Sequence, residues 1–187
     1  APLLCAGIVG YRAFKRAMVP EDGSLALYGF GSSAHVIFQI AKHHRCRVFV
    51  VTRGEEHRQL AREMGADWVG ESAAELPEKM NSAINFAPSG ELVPAALRAL
   101  DKGGTLALAG IHMSDVPQMN YQDCLFYERD IHAVTANTRE DGRELFTEAA
   151  EARVHPHTVA YPLKDANRAL QDLKGDRIRG SAVLVVE

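Results

Sequence analysis

Short apolar runs alternate along most of this chain with segments whose apolar residues recur at helical spacing. Leu25-Ala-Leu-Tyr-Gly29 and Arg47-Val-Phe-Val-Val51 are nearly unbroken apolar runs of strand length, the pattern of strands buried on both faces. Residues 33–43 follow the first run as an amphipathic helix, and residues 55–64 follow the second. The rhythm predicts a short strand at 67–69, a short, poor helix at 73–80, a strand at 82–86 and a helix at 89–101. A strand at 105–109 comes after the Lys102-Gly103-Gly104 turn, and a sixth strand at 130–134. Ahead of all these, residues 3–17 read as a helix ending in Lys15-Arg16, cations suited to the negative end of a helix dipole. Strands and helices in strict alternation predict an α/β fold, a doubly wound parallel sheet of the Rossmann kind with helices on both faces.

After about residue 136 the alternation stops. Residues 140–152 and 163–173 read as helices, 157–162 as strand-like, and 179–186 as a segment ending in a strand. The expected organisation is a dinucleotide-binding Rossmann domain at 1–136 and a C-terminal return at 137–187 into another domain whose main body is absent. The chain also opens on Ala1, without Met, directly into an apolar segment. The expectation is that an earlier part of the protein is missing from it.

The candidate chemistry gathers where the first strand meets its helix. Gly29-Phe-Gly31-Ser32-Ser33-Ala34 has the spacing Gly-x-Gly-x-x-Ala, a variant of the dinucleotide-binding fingerprint. Gly29 permits the tight turn, Gly31 removes a Cβ where a pyrophosphate must approach, and Ala34 lets the helix pack close to the strand. The free N–H groups and positive end of the helix then face the phosphates. The bland alternative is a structural turn.

An acid at the end of the second strand marks NAD-binding folds. Here that strand ends in Thr52-Arg53-Gly54, with Arg58 one helical turn further on. A guanidinium suits a ribose 2′-phosphate, so the expected cofactor is NADP, with NAD left open through Glu55 or Glu56 reaching a hydroxyl. Ala87, after the fourth strand, and Gly110, Ile111 and His112, after the fifth, occupy loops beyond strand C-termini, where doubly wound sheets bind ligands. His112 reads equally as a solvated loop residue. His155-Pro-His157 has no nearby Cys or carboxylate partner and makes no persuasive metal pair.

Composition narrows the classes. The 187 residues are 47% hydrophobic, enough for a sizeable core, and carry a formal net charge of −3. That balance offers nothing to nucleic acid or an anionic membrane, and no apolar run approaches the ~20 residues of a membrane span. Cys5, Cys46 and Cys124 are odd in number and widely spaced. They imply neither a disulfide framework nor a zinc knuckle, and the expectation is mostly buried thiols in a reducing cytoplasm.

The order of motifs resembles the C-terminal part of the zinc-dependent alcohol dehydrogenases, in the medium-chain dehydrogenase/reductase superfamily. The matching text is Ala1-Pro-Leu-Leu-Cys5-Ala-Gly-Ile-Val-Gly-Tyr11, the Gly29–Ala34 turn, Ala61-Arg-Glu-Met-Gly-Ala-Asp67, Leu100-Asp-Lys-Gly-Gly-Thr-Leu106, Gly110-Ile-His-Met113 and Arg179-Gly-Ser-Ala-Val-Leu184. The resemblance implies hydride transfer between a nicotinamide and a small alcohol or aldehyde in a longer parent protein. It makes the C-terminal segments part of an otherwise absent catalytic domain, and Cys5 one of three protein ligands of a catalytic zinc. The other ligands and the proton relay would lie outside this chain, so zinc is expected only in the full-length parent. Taken by itself, Cys5 reads as a small buried residue of a helix. The resemblance further implies cofactor contacts from the 86–88 and 110–112 loops, an approach of Arg139 to the pyrophosphate, and a homodimer through residues 110–134. Arg139 reads equally as an exposed cation at a helix start. A second function class, a stand-alone dinucleotide-binding or sensor module without catalysis, remains because no complete catalytic set is visible.

Overall fold

The computed structural model describes residues 1–186. A 3₁₀ turn at Pro2–Leu4 leads into α1 (Ala6–Arg16). Then come β1 (Ser24–Tyr28), α2 (Ser32–His43), β2 (Arg47–Val51), α3 (Glu55–Glu63), β3 (Trp68–Gly70), β4 (Met80–Asn85), α4 (Leu92–Ala99) and β5 (Leu100–Leu108). The one-turn α5 (Tyr121–Cys124), β6 (Asp130–Ala133), α6 (Arg139–Glu151), β7 (Thr158–Pro162), α7 (Ala166–Lys174) and β8 (Ser181–Val185) complete the chain.

β1 to β6 form one six-stranded, all-parallel sheet in the order β3-β2-β1-β4-β5-β6. Leu25 pairs with Val48 on one side and Ser82 on the other. Strand order therefore reverses between β1 and β4, the place where such sheets open a crevice at their C-terminal edge. β1 is buried along its whole length, and its alternating side chains divide between two cores. Leu25 and Leu27 join Val48, Val50 and Ile84 beneath α1, α2 and α6. Ala26 and Tyr28 join Phe49, Val51 and Leu106 beneath α4. Unbroken hydrophobicity in the strand thus reflects helices on both faces.

The expected elements are present, with local differences. The helix anticipated at 73–80 shrinks to a 3₁₀ turn at Ala73–Glu75, because Pro77 has no N–H to continue it. Met80, the end of that expected helix, begins β4 instead. β5 starts at Leu100, ahead of its glycine pair, through an irregular register with β4. Cys124 ends a helical turn and is fully buried.

β7 and β8 form a separate two-stranded parallel sheet joined through α7. Its strands are largely exposed, with Leu184 and Val185 more than two-fifths accessible. No helix among the described residues is long and apolar enough to cross a membrane.

Candidate functional site

Three strand ends meet at the reversal point. Gly29 follows β1 with φ +82°, in the left-handed region that glycine enters without strain. Its N–H donates to the Val51 carbonyl. A side chain at Gly29 would meet the Ala87 nitrogen at 3.2 Å, and one at Gly110 would meet the Ala87 carbonyl oxygen at 2.6 Å. Gly29, Ala87 and Gly110 are therefore packed backbone to backbone at the ends of β1, β4 and β5. Both glycines are required by that proximity.

Asn85 holds this arrangement and was not singled out in the sequence. It is fully buried at the end of β4. Its Oδ1 accepts the Ala87 N–H at 3.0 Å, and its Nδ2 donates to the Ser89 carbonyl at 3.2 Å. The Ser114 hydroxyl then accepts the Gly90 N–H at 2.9 Å, stapling the loop after β5 to the loop after β4. Ile111 is exposed, and His112 is an exposed residue with φ +54°. Both sit on the rim of this double loop.

Gly31 caps α2 in an extended conformation, and no side chain caps the helix. A Cβ at Gly31 would meet nothing within 4 Å. The backbone at Gly31 is therefore open on that side, next to the uncapped donors of the first helical turn and the positive end of the helix dipole. Phe30 is buried between the two glycines and packs edge-on against Phe38, which anchors the turn from below. Ala34 is fully buried, as its small size requires. Ser33 lies under α1, where a side chain on Gly10 would press on the Ser33 carbonyl at 3.3 Å. Ser32 Oγ lies 2.5 Å from Ser181 Oγ of β8, a partner 149 residues away.

The loop after β2 is built differently from the expectation for one residue. Thr52 is buried and Arg53 exposed, and among the described residues the Arg53 guanidinium has no ion pair. Arg58 points inward and is already consumed. It pairs with Glu55 and Glu71 at 2.5 and 2.6 Å and donates to the Thr52 and Arg53 carbonyls. Glu71 and a Glu55 shared with Arg62 balance its charge, so Arg58 braces the loop, and Arg53 is the exposed guanidinium there without an ion pair among the described residues. Gly54, the cap of α3, lies against His57 and Asp176, which are bonded at 2.8 Å.

Arg139 opens α6 as an exposed residue, with no ion pair among the described residues. The polar weight of that helix start rests on Asp141, which is fully buried. Its burial opposes the charge. The Thr138 N–H and hydroxyl, Lys15 and Arg12 outweigh that and hold the carboxyl down at about 2. Through these bonds α6 is fastened to α1.

Cys5 is exposed at the cap of α1, outside the core that its residue type by itself predicts. Cys46 and Cys124 are buried and free. Among the described residues no three His, Cys, Asp or Glu side chains converge as a metal site. One thiol falls short of the three protein ligands that a catalytic zinc needs, so these residues do not form a zinc site by themselves.

Residues 34–151 match the zinc-binding dehydrogenase family model, and the chain belongs to that family. It is 50% identical over 186 residues to a probable alcohol dehydrogenase, AdhA, of Mycobacterium tuberculosis, covering 100% of this chain and 54% of that protein. Acetophenone reductase from Geotrichum candidum, solved in complex with NAD, superposes with a TM-score of 0.85 at 25% identity, covering 98% of this chain and 54% of the reductase. The CAD protein of Helicobacter pylori, solved with NADP(H), shares the fold with a TM-score of 0.84 at 23% identity, over 100% of this chain and 54% of that protein. The chain spans about half the length of the curated relatives it matches.

Proposed function

We propose that this chain is the coenzyme-binding portion of an alcohol dehydrogenase-like oxidoreductase, and that the Gly29–Ala34 turn holds the pyrophosphate of a nicotinamide dinucleotide. One observation carries the reading: open space in front of Gly31 lies over the uncapped start of α2, beside the junction of Gly29, Ala87 and Gly110. A bound nicotinamide supplies the hydride donor or acceptor. The α2 donors, including the Ser32, Ser33 and Ala34 N–H groups, neutralise phosphate charge. The loops carrying Ala87 and Gly110–His112 border the crevice and exclude water from one side of it. Arg53 and Thr52 receive the adenosine ribose, and Arg53 favours NADP(H) over NAD(H). Arg139, exposed at the start of α6, supplies a further cation to the pyrophosphate.

In the whole protein, on this reading, residues 1–136 form the dinucleotide unit and 137–187 return to the catalytic domain. The exposed apolar residues of β7 and β8 support that division, since an isolated two-stranded sheet is marginal in water. Cys5 contributes one thiolate to a zinc completed by residues outside this chain. The substrate is a small alcohol or aldehyde. β6 is an edge strand of the large sheet and offers a route to a homodimer. Free buried thiols suit a cytoplasmic protein.

The decisive variant is Gly31→Asp. Its Cβ enters open space, so the fold should persist by circular dichroism. Its carboxylate would sit among the helix donors and repel the pyrophosphate. Calorimetry should show affinity for the dinucleotide reduced by roughly a hundredfold or more, since about 3 kcal/mol of charge-assisted bonding is lost. Equal affinity in the variant would refute the assignment.

A further inference from the structure

His35 is fully buried at the start of α2, and the dinucleotide reading gives it no role. Its Nδ1 lies 3.1 Å from the Gly31 carbonyl oxygen, and its Nε2 accepts the His157 N–H at 3.1 Å. The second contact sets the tautomer. Because Nε2 accepts, Nδ1 carries the proton and donates to Gly31. The same Gly31 oxygen accepts the His35 backbone N–H at 3.1 Å.

That carbonyl and the Ser32 N–H belong to one rigid peptide plane. Two donors on the oxygen therefore fix the direction of the Ser32 N–H, one of the open donors of α2. The residues that hold His35 from the other side are themselves tied to the turn. Ser181 donates its N–H to the His157 carbonyl at 2.9 Å, and its hydroxyl meets Ser32 at 2.5 Å. Gly180 adopts φ +82° against His157, where a side chain would strike the His157 Cβ at 2.8 Å. The glycine turn, His35, His157 and Ser181 thus form one closed circuit.

We propose that His35 is a positioning residue of the glycine turn. As a neutral imidazole it aims the Ser32 N–H at a dinucleotide phosphate and locks the His157–Ser181 segment onto that turn, and protonation of its ring releases the lock. The proposal rests on the dinucleotide reading above. A second ring proton would make Nε2 a donor facing the His157 N–H, two donors with no acceptor between them.

The ring of His157 faces His35 edge-on at 6.1 Å between centroids. Lys42, His43, His155 and Glu63, the last paired with Arg179, line the adjoining groove. Burial, then the neighbouring His157, push the His35 pKa below its ordinary 6.5, against the pull of the Gly31 carbonyl. The neutral form is thus the folded form. The lock holds fully above 6.5 and weakens as pH falls below it.

The test is calorimetric titration of the intact protein with ADP-ribose, a probe that retains the pyrophosphate but lacks the nicotinamide and the 2′-phosphate. Affinity should be roughly threefold or more weaker at about pH 5 than at about pH 7.5. His35→Asn keeps a donor for Gly31 but neither reaches His157 nor titrates. It should bind roughly threefold more weakly than wild type at about pH 7.5 and lose the pH dependence. Nitrogen NMR of the His35 ring should show the Nδ1–H tautomer, a readout independent of binding. Wild-type affinity in His35→Asn, a persistent pH dependence in that variant, or an Nε2–H ring overturns the positioning role alone. Failure of the wild type to bind ADP-ribose at about pH 7.5 overturns the dinucleotide reading, and this proposal with it. If His35→Asn does not fold, the wild-type pH profile and the ring tautomer still decide.

Discussion

The two parallel sheets of this chain obey the same strand rules and end in opposite states. In the six-stranded sheet, β1 is buried throughout and its odd and even side chains enter two separate cores. In the β7–β8 pair, α7 supplies the crossover but covers little. Leu170 and Leu173 of α7 and Leu184 and Val185 of β8 remain exposed. The difference is one of coverage. A parallel strand gains most of its stability from layers on both faces, and only the first sheet has them within this chain. The C-terminal pair is held by polar ties to the large sheet's helices: His57–Asp176, Arg179–Glu63 and the His35–His157–Ser181 circuit. The first and third of these meet the loop after β2 and the glycine turn, and the second holds the far end of α3. The region least able to stand alone is thus fastened to the proposed cofactor site.

The comparison breaks first at the core. Ile84 of β4 is fully buried, and Ile84→Ala should cost about 2–5 kcal/mol of unfolding free energy. Leu184→Ala, on the exposed strand, should change it by no more than about 0.5 kcal/mol in this chain. Urea denaturation measures both. Equal losses would mean that β7–β8 is as well packed as the main sheet.

Asp141 sharpens the picture of how the regions are joined, because α6 carries the chain from one to the other. Asp141→Ala removes the capping box and the partner of Arg12 and Lys15, and should cost about 2 kcal/mol. The carboxyl's folded pKa lies near 2, below its ordinary 3.8. Its contribution is therefore complete above 3.8 and is lost as pH falls through about 2. A melting series in acid should show that loss in the wild type and not in Asp141→Asn. An identical acid profile in both would assign the stability elsewhere.

The smallest expected effect concerns selectivity at the loop after β2. Arg53→Ala should lower the preference for NADP(H) over NAD(H) by roughly tenfold, about 1.4 kcal/mol, with little change in NAD(H) affinity. Arg58→Ala should instead weaken both cofactors together, since Arg58 braces the loop through the Thr52 and Arg53 carbonyls. Paired dissociation constants for the two cofactors separate these outcomes. A selective loss in Arg58→Ala would reverse the assignment of the two arginines.

Local patterning was enough to reveal the alternation of strands and helices, the parallel sheet, the glycine turn and the family. Each depends on residues a few positions apart: the apolar run of β1, the Gly29-x-Gly31 spacing, the small Ala34. Element ends were less legible, as Pro77 and the glycine pair before β5 show, because a break or an irregular register depends on the neighbouring strand. Tertiary structure alone decided how charges and polar groups are spent. Arg53 and Arg58 look alike in sequence, yet Glu71 arrives from β3's far end to neutralise one of them. Cys5 and Cys124 are the same residue, yet one caps a helix in solvent and the other is fully buried. In sequence His35 is one more residue of a helix, and only the fold brings the His157 N–H to its ring across 122 positions. Hydrophobic periodicity is written locally, but a hydrogen bond or an ion pair belongs to two partners, and their meeting depends on the folded chain.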